Sequence, residues 1–101
     1  MGKAEIKEKL AEALKNCPHR ETIKSLAIFG SYARGTAKKD SDLDVLIELV
    51  PKSGIGFFEL FDIQESLEAN VGIHIDLLTP QAISKYFRDK VLADAEYVYE
   101  G

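Results

Sequence analysis

Two aspartates separated by one residue follow a glycine–serine pair in the first half of the chain. The residues are Gly30, Ser31, Asp42 and Asp44, and a third aspartate, Asp76, lies in a later apolar segment. Carboxylates at positions i and i+2 of a strand share one face, and such groups can bridge two ions roughly 3.5–4 Å apart. Since these side chains offer only oxygen ligands, Mg²⁺ or Mn²⁺ is favoured over zinc. The spacing therefore predicts a site for divalent cations.

The Gly30–Ser31 pair directly follows a short apolar run, which places it at the end of a predicted strand. Glycine lets a phosphate approach the backbone closely, and exposed amide groups together with the Ser31 hydroxyl can bind anionic oxygens. Capping of a helix is the alternative role for Ser31, and the two roles are compatible. An anion cradle beside metal-binding carboxylates indicates chemistry on a triphosphate.

The elements that would position these residues alternate between helix and strand. Periodicity predicts helices over residues 3–16, 57–69 and from Thr79–Pro80 to about Ala93, and strands over 24–29, 42–49, 73–78 and around 97–99. Pro18 ends the first helix and Gly72 the second, whereas Thr79–Pro80 is a typical helix start. Residues 30–41 are expected to form a loop with one helical turn. This order of elements predicts an α+β fold with α/β-like alternation.

Side chains of the second and third predicted strands sort into two faces. The apolar sets are Leu43, Val45, Ile47 and Leu49 in one strand and Ile73, Ile75 and Leu77 in the other. If both sets pack against helices, Asp42, Asp44 and Asp76 project from the opposite face. Unpaired carboxylates there would raise each other's pKa, and a divalent cation removes that conflict. His74 and Glu48 share this face, and we expect both at its rim rather than among the ligands.

Length and composition limit the remaining possibilities. A chain of 101 residues accommodates one domain, residues 1–101, and no second one. The formal net charge of -4 argues against direct nucleic-acid binding. Cys17 is the single cysteine, which excludes an internal disulfide and favours the reducing cytoplasm. No apolar run approaches the roughly 20 residues of a membrane span, so we expect no membrane partner.

The pattern of Gly-Ser, ten intervening residues, Asp-x-Asp and a third Asp resembles the nucleotidyltransferase superfamily, which includes DNA polymerase beta and kanamycin nucleotidyltransferase. The short chain, the run Ser31-Tyr32-Ala33-Arg34-Gly35 and the segment Ile75-Asp76-Leu77-Leu78 are most similar to the minimal nucleotidyltransferases. These are the antitoxin (MNT) partners of HEPN-domain toxins in prokaryotes. The resemblance covers roughly residues 20–100.

The resemblance implies a nucleotidyltransferase fold, a small mixed sheet with helices packed on one face and the active site on the other. It assigns catalysis and the binding of two Mg²⁺ (or Mn²⁺) ions to Asp42, Asp44 and Asp76, and nucleotide binding to Gly30, Ser31 and Arg34. Asp76 would contact the catalytic metal and help to deprotonate the attacking hydroxyl. Arg34 matches the arginine of the family's Arg-Gly pair, either as a phosphate contact or as a loop anchor.

The implied activity is transfer of AMP from ATP to a hydroxyl, with pyrophosphate leaving. In related antitoxins the acceptor is a tyrosine of the helical HEPN toxin, an RNase that the modification inactivates. One alternative is a non-catalytic module that neutralises the toxin by occlusion. Another is a small-molecule nucleotidyltransferase of the antibiotic-modifying type, whose acceptor pocket is usually built by an extra helical domain. The sequence is compatible with a homo-oligomer.

Overall fold

The computed structural model describes residues 2–101 as a sheet of four strands with four α-helices. The elements in chain order are α1 (Lys3–Lys15), β1 (Ile23–Phe29), α2 (Gly30–Arg34), β2 (Leu43–Leu49), α3 (Phe57–Val71), β3 (Ile75–Leu78), α4 (Lys85–Asp94) and β4 (Glu96–Glu100). Short 3₁₀ turns at Arg20–Thr22 and Pro80–Ala82 precede β1 and α4. Within residues 2–101, no helix has both the length and the apolar character needed to cross a membrane.

The sheet is mixed, with the strand order β3–β2–β1–β4. Strand β1 runs antiparallel to both β2 and β4, whereas β2 and β3 are parallel. Parallel neighbours need a crossover connection, and α3 supplies it between β2 and β3. In the resulting register Asp44 lies opposite Asp76.

One face of the sheet packs against α1 and α3. The apolar set expected for β2 lies here, because Leu43, Val45 and Ile47 are fully buried. Their main partners are Ile6 and Leu10 of α1, Ile63 and Leu67 of α3, and Ile75 of β3. Full burial of each such side chain stabilises the fold by about 1.5–3 kcal/mol, so this face provides most of the core.

The other face carries a smaller apolar cluster formed by Ala27, Phe29, Leu46 and Ile83. Val91 of α4 packs against this cluster. The expected arrangement, with helices on one face and the aspartates on the other, is confirmed for α1 and α3, whereas α4 packs on the second face and covers part of it.

The prediction that a helix begins at Thr79–Pro80 is wrong. Pro80 instead opens a 3₁₀ turn, and Ile83 follows it with extended backbone angles. Ile83 is buried in the smaller cluster, and this burial keeps its backbone extended rather than helical. Arg88 links the two segments, since its guanidinium donates to the carbonyl oxygens of Pro80 and Ile83, each at 3.1 Å.

Helix α4 begins only at Lys85, after an N-cap serine. The Ser84 hydroxyl oxygen accepts a hydrogen bond from the Tyr86 N–H at 3.4 Å. This N–H lies in the first turn of the helix, where backbone amides have no partner within the helix. The strand predicted from residue 73 is also shorter, because β3 begins at Ile75. The other expected elements are present, with boundaries shifted by no more than two residues.

Candidate active site

The three predicted aspartates come together at the beginning of β2 and β3. Asp44 and Asp76 are register partners on these parallel strands. Asp42 lies just before β2, where the Leu43 N–H donates to the His74 carbonyl oxygen at 2.9 Å. This hydrogen bond aligns the two segments that lead into the strands, so that Asp42 is brought beside Asp76.

The Asp44 carboxyl lies in an unfavourable electrostatic environment. Partial burial raises the pKa of its carboxyl above the usual value, and the neighbouring charges of Asp76 and Asp42 raise it further. The positive charge of Arg34 acts in the opposite direction. Ionised Asp44 therefore lacks sufficient compensation from the protein alone, and a bound cation would relieve the repulsion.

His74 is in closer contact with the carboxylates than its spacing indicated, so the structure does not separate it from the candidate ligands as the sequence predicted. Its Nε2 lies 3.4 Å from Asp76 Oδ1, and its Nδ1 lies 2.8 Å from Glu68 Oε2. The hydrogen bond with Glu68 is the main reason that the pKa of His74 is raised. His74 therefore tends towards its charged form where no cation is bound nearby.

Glu68 on α3 is the residue near this site that the sequence did not indicate. Its Oε2 also accepts from the Ile75 N–H at 3.3 Å, so one carboxylate holds both the imidazole of His74 and the start of β3. Burial acts to raise the pKa of Glu68, but the hydrogen bonds from His74 and Ile75 outweigh it and the pKa is lowered. No spacing rule connects α3 to this position, since only the packing of α3 against β3 brings Glu68 there.

The side chains at this end of the sheet fit a divalent cation. Asp42, His74 and Asp76 each offer one ligand atom, and these atoms lie within 4.8 Å of one another. Asp44 adds a further carboxylate beside Asp76. Carboxylate oxygens suit Mg²⁺ and Mn²⁺, and an imidazole nitrogen is compatible with a transition metal such as Mn²⁺.

Gly30 allows Asp44 to lie against the end of β1. Its φ angle is +72°, which favours glycine, and the adjacent Phe29 is the register partner of Asp44. A Cβ at position 30 would clash with Asp44 Oδ2 and lie only 3.2 Å from its Cγ. The Gly30 backbone and the Asp44 carboxylate are therefore in close contact because residue 30 has no side chain.

Ser31 and Arg34 lie on α2, directly after Gly30. The Ser31 carbonyl oxygen accepts from the Thr36 N–H at 2.9 Å, which closes the loop after the helix. Arg34 Nη1 lies 3.5 Å from Asp94 Oδ2 on α4, and both side chains are partly exposed. This ion pair corresponds to the loop-anchor interpretation of Arg34, while its effect on Asp44 places its charge near the carboxylates.

Comparison with known proteins agrees with this geometry. Residues 5–98 match the family model described as the nucleotidyltransferase domain. The chain is 35% identical over 96 residues to protein adenylyltransferase MntA of Thermococcus cleftensis, covering 93% of each chain. A solved structure assigned as a minimal nucleotidyltransferase superposes with a TM-score of 0.79 and 27% identity, covering 95% of each chain.

A more distant structure shares the fold. It is the complex of tri-AMPylated Shewanella oneidensis HEPN toxin with its MNT antitoxin, with a TM-score of 0.67 and 15% identity over 98% of this chain and 73% of that one. The family match covers nearly the whole chain, and the match to the Thermococcus relative covers 93% of each chain. By its sequence and by its fold, this chain belongs to the nucleotidyltransferase domain family.

Proposed function

We propose that the chain is a metal-dependent protein adenylyltransferase that transfers AMP from ATP to a tyrosine hydroxyl of a HEPN-type toxin, and thereby acts as its antitoxin. The observation that carries this proposal is the placement of Asp44 between Gly30 and Asp76. The Thermococcus relative, named as a protein adenylyltransferase, supports the reaction class. The Shewanella complex, with its AMPylated HEPN toxin, supports the choice of partner.

Asp42, Asp44 and Asp76 would hold two Mg²⁺ or Mn²⁺ ions, with His74 beside them. Bound there, the cations would lower the pKa of the attacking hydroxyl and neutralise charge on the triphosphate. The backbone amides that follow β1 and the Ser31 hydroxyl can donate to phosphate oxygens. These contacts would orient the α-phosphate towards Asp76. In phosphoryl transfer such positioning supplies a large part of the rate acceleration.

In this scheme the acceptor oxygen forms a bond to the α-phosphorus, and the bond from that phosphorus to the bridging oxygen breaks. Pyrophosphate leaves with the electrons of the broken bond. The proton of the acceptor hydroxyl passes to the Asp76 carboxylate and then to solvent.

The exposure of the site supports an acceptor that is supplied by another protein. Asp42 is exposed, and the side chains of His74 and Asp76 are 54% and 47% accessible. A tyrosine on a partner's surface can therefore approach the carboxylates directly. We propose the cytoplasm as the location, since the buried, free Cys17 suits a reducing compartment. We also propose that residues 1–101 form one functional domain.

The deciding experiment follows label from ATP carrying ³²P at the α-phosphate into the toxin in the presence of Mg²⁺. Wild-type protein should label the toxin and abolish its RNase activity. Asp42→Asn/Asp44→Asn should label it at least about 100-fold more slowly, because the affinity for metal is lost. Asp40→Asn is the matched control, since Asp40 is an exposed carboxylate in the same loop.

The proposal fails if the double variant transfers label at the wild-type rate. Full inhibition of the toxin by the double variant without any transfer would instead support neutralisation by occlusion. Replacing single toxin tyrosines with phenylalanine identifies the acceptor.

The choice and role of the ions have a separate test. Mg²⁺ or Mn²⁺ together with ATP should raise the melting temperature of the wild-type protein, because a ligand that binds only the folded state stabilises it. Asp42→Asn/Asp44→Asn should lose this rise while Asp40→Asn keeps it. An unchanged melting temperature of the wild-type protein at saturating ligand would contradict metal-assisted binding of nucleotide.

A further inference from the structure

The imidazole of His74 is held in one orientation by a carboxylate on α3. Its Nδ1 lies 2.8 Å from Glu68 Oε2, and since an ionised carboxylate can only accept, Nδ1 carries the proton of this hydrogen bond. Glu68 is itself anchored, because its Oε2 accepts from the Ile75 N–H at 3.3 Å and its Oε1 accepts from Gln64 Nε2 at 3.4 Å. The packing of α3 on β3 therefore leaves Nε2 as the nitrogen of His74 that is available to another partner.

Nε2 of His74 lies beside the aspartates. It is 3.4 Å from Asp76 Oδ1, and the ligand atoms of Asp42, His74 and Asp76 lie within 4.8 Å of one another. Donors that share one ion through bonds of about 2.1 Å are roughly 3 Å apart when adjacent and roughly 4.2 Å apart when opposite. Because the Asp42 side chain is exposed, a small rotation of it is enough to bring the three donors to one ion.

A nitrogen donor changes which cation such a site prefers. Carboxylate oxygens bind both Mg²⁺ and Mn²⁺, but Mg²⁺ takes oxygen ligands, whereas first-row transition cations also accept imidazole. At metal sites in proteins, a ligating histidine donates its second N–H to a carboxylate or a carbonyl, which fixes the ring and raises the basicity of the ligating nitrogen. Glu68 and His74 have this arrangement beside Asp76.

We propose that His74 Nε2 is a ligand of the cation held by Asp42 and Asp76, that Glu68 positions this ligand, and that the site therefore prefers Mn²⁺ to Mg²⁺. This inference rests on the proposed function and identifies the ion of its site. The Asp-x-Asp pattern contains no histidine, so the assignment adds a nitrogen donor to the carboxylates already described. Binding of the ion displaces any proton on Nε2 to solvent.

Direct ligation has a spectroscopic test on the wild-type protein. Mn²⁺ is paramagnetic, and its electron spin-echo modulation reports the magnetic nuclei of the groups coordinated to it. With Mn²⁺ alone, the spectrum should show coupling to ¹⁴N, and the coupling should change to that of ¹⁵N in protein made with [¹⁵N]histidine. His74→Ala should lose it. His19→Ala should keep it, because His19 lies in the turn before β1 with its Nε2 3.8 Å from Asp62 Oδ2.

The preference between the two ions is measured by titrating Mn²⁺, whose free-ion resonance disappears on binding, and by displacing it with Mg²⁺. His74→Ala should weaken Mn²⁺ binding at least about tenfold and Mg²⁺ binding less than about threefold. Glu68→Ala should lower the preference for Mn²⁺ in the same direction. Glu68→Gln should keep most of it, since an amide oxygen still accepts from Nδ1.

Glu65→Ala is the matched control for Glu68, because Glu65 is an exposed carboxylate on the same helix. It should leave both affinities unchanged. Circular dichroism establishes that each variant is folded, and a loss of structure at the start of β3 would weaken both ions together rather than change the preference.

Two results would overturn the inference and leave the proposed function standing. One is a wild-type protein that binds Mn²⁺ without coupling to His74. The other is a His74→Ala variant that weakens Mn²⁺ and Mg²⁺ equally or weakens neither, which would mean that His74 is not a ligand. Absence of binding of either ion by the wild-type protein, with or without α,β-methylene-ATP, would overturn the inference and remove the metal dependence of the proposed function as well.

Discussion

The two faces of the sheet differ in what the side chains of one strand contribute to the protein. Towards α1 and α3, β2 presents Leu43, Val45 and Ile47, all fully buried among apolar neighbours. Towards the opposite side it presents Asp44, whose carboxyl has a raised pKa because it is partly buried near other carboxylates. The alternation of a single strand thus separates side chains that stabilise the fold from a side chain that destabilises it. The contrast indicates that the apolar face provides the stability that the site requires.

The largest change in stability should come from truncating a buried side chain on the apolar face of the sheet. Ile47→Ala should lower the free energy of unfolding by about 3 kcal/mol, because it removes a fully buried side chain and leaves a cavity. Urea denaturation followed by circular dichroism measures this change. Glu48→Ala, at the next position and on the other face, should change stability by less than about 0.5 kcal/mol. A cost for Ile47→Ala below about 1 kcal/mol would contradict the close packing of this face.

The next effect concerns the contact between Gly30 and the Asp44 carboxylate. Gly30→Ala should cost about 1–2 kcal/mol from the positive φ angle alone. It should also slow AMP transfer more than tenfold, because the new Cβ displaces Asp44. Unfolding and transfer assays together separate the two effects.

Gly35→Ala is the control for backbone strain. Gly35 also has a positive φ angle, of +77°, but a Cβ there meets no atom within 4 Å. It should therefore lose a similar amount of stability and keep its transfer activity. Equal activity of the two variants would show that Asp44 does not need the space beside residue 30.

The apolar face could be predicted from the sequence because its signal is local. Period-2 alternation places Leu43, Val45 and Ile47 on one side of a strand whatever the neighbouring elements are. The same rule placed Asp44 and Asp76 on a shared face, although only the parallel pairing of β2 with β3 sets them opposite each other. Their catalytic roles stay predictions.

Contacts between elements that are distant in sequence could not be predicted in this way. Arg34 and Asp94 are separated by 60 positions and meet only because α4 packs beside α2. Glu68 reaches His74 through the packing of α3 on β3. The helix start at Thr79–Pro80 was wrong for the same reason, since burial of Ile83 overrides a local capping signal.

A smaller effect should appear when the charge of Asp44 is removed in metal-free protein. The folded-state pKa of Asp44 is raised, so the unfolded chain releases this proton first as pH rises, and stability falls through that range. Asp44→Asn lacks this loss. In EDTA its melting temperature should therefore exceed that of the wild-type protein at neutral pH, by less than the change caused by Ile47→Ala.

The difference between Asp44→Asn and the wild-type protein should shrink as the pH is lowered towards the unfolded-state pKa of an aspartate, about 3.9. Asp40→Asn, which removes an exposed carboxylate of the same loop, should show no such rise. A lower melting temperature of Asp44→Asn at neutral pH would mean that the charge of Asp44 is already compensated within the protein.

The smallest shift in melting temperature should come from removing the charge of Glu96, a carboxylate outside the site. This shift should be opposite in sign to that of Asp44→Asn. Lys3 Nζ lies 2.6 Å from Glu96 Oε2 and joins α1 to β4. This hydrogen bond lowers the pKa of Glu96, assisted by the charges of Lys3 and Lys7. The stability that Glu96 contributes is therefore present above its unfolded-state pKa and is lost as pH falls through the lower folded-state value.

Glu96→Gln should slightly lower the melting temperature at neutral pH, and the deficit should disappear in acid and diminish in high salt because the pair is exposed. Thermal unfolding at several pH values compares it directly with Asp44→Asn. If both variants lowered the melting temperature at neutral pH, the ionised state of Asp44 would not be destabilising. Opposite shifts would mean that ionised Glu96 stabilises the fold because it has a lysine partner, whereas ionised Asp44 destabilises it because its neighbours are carboxylates.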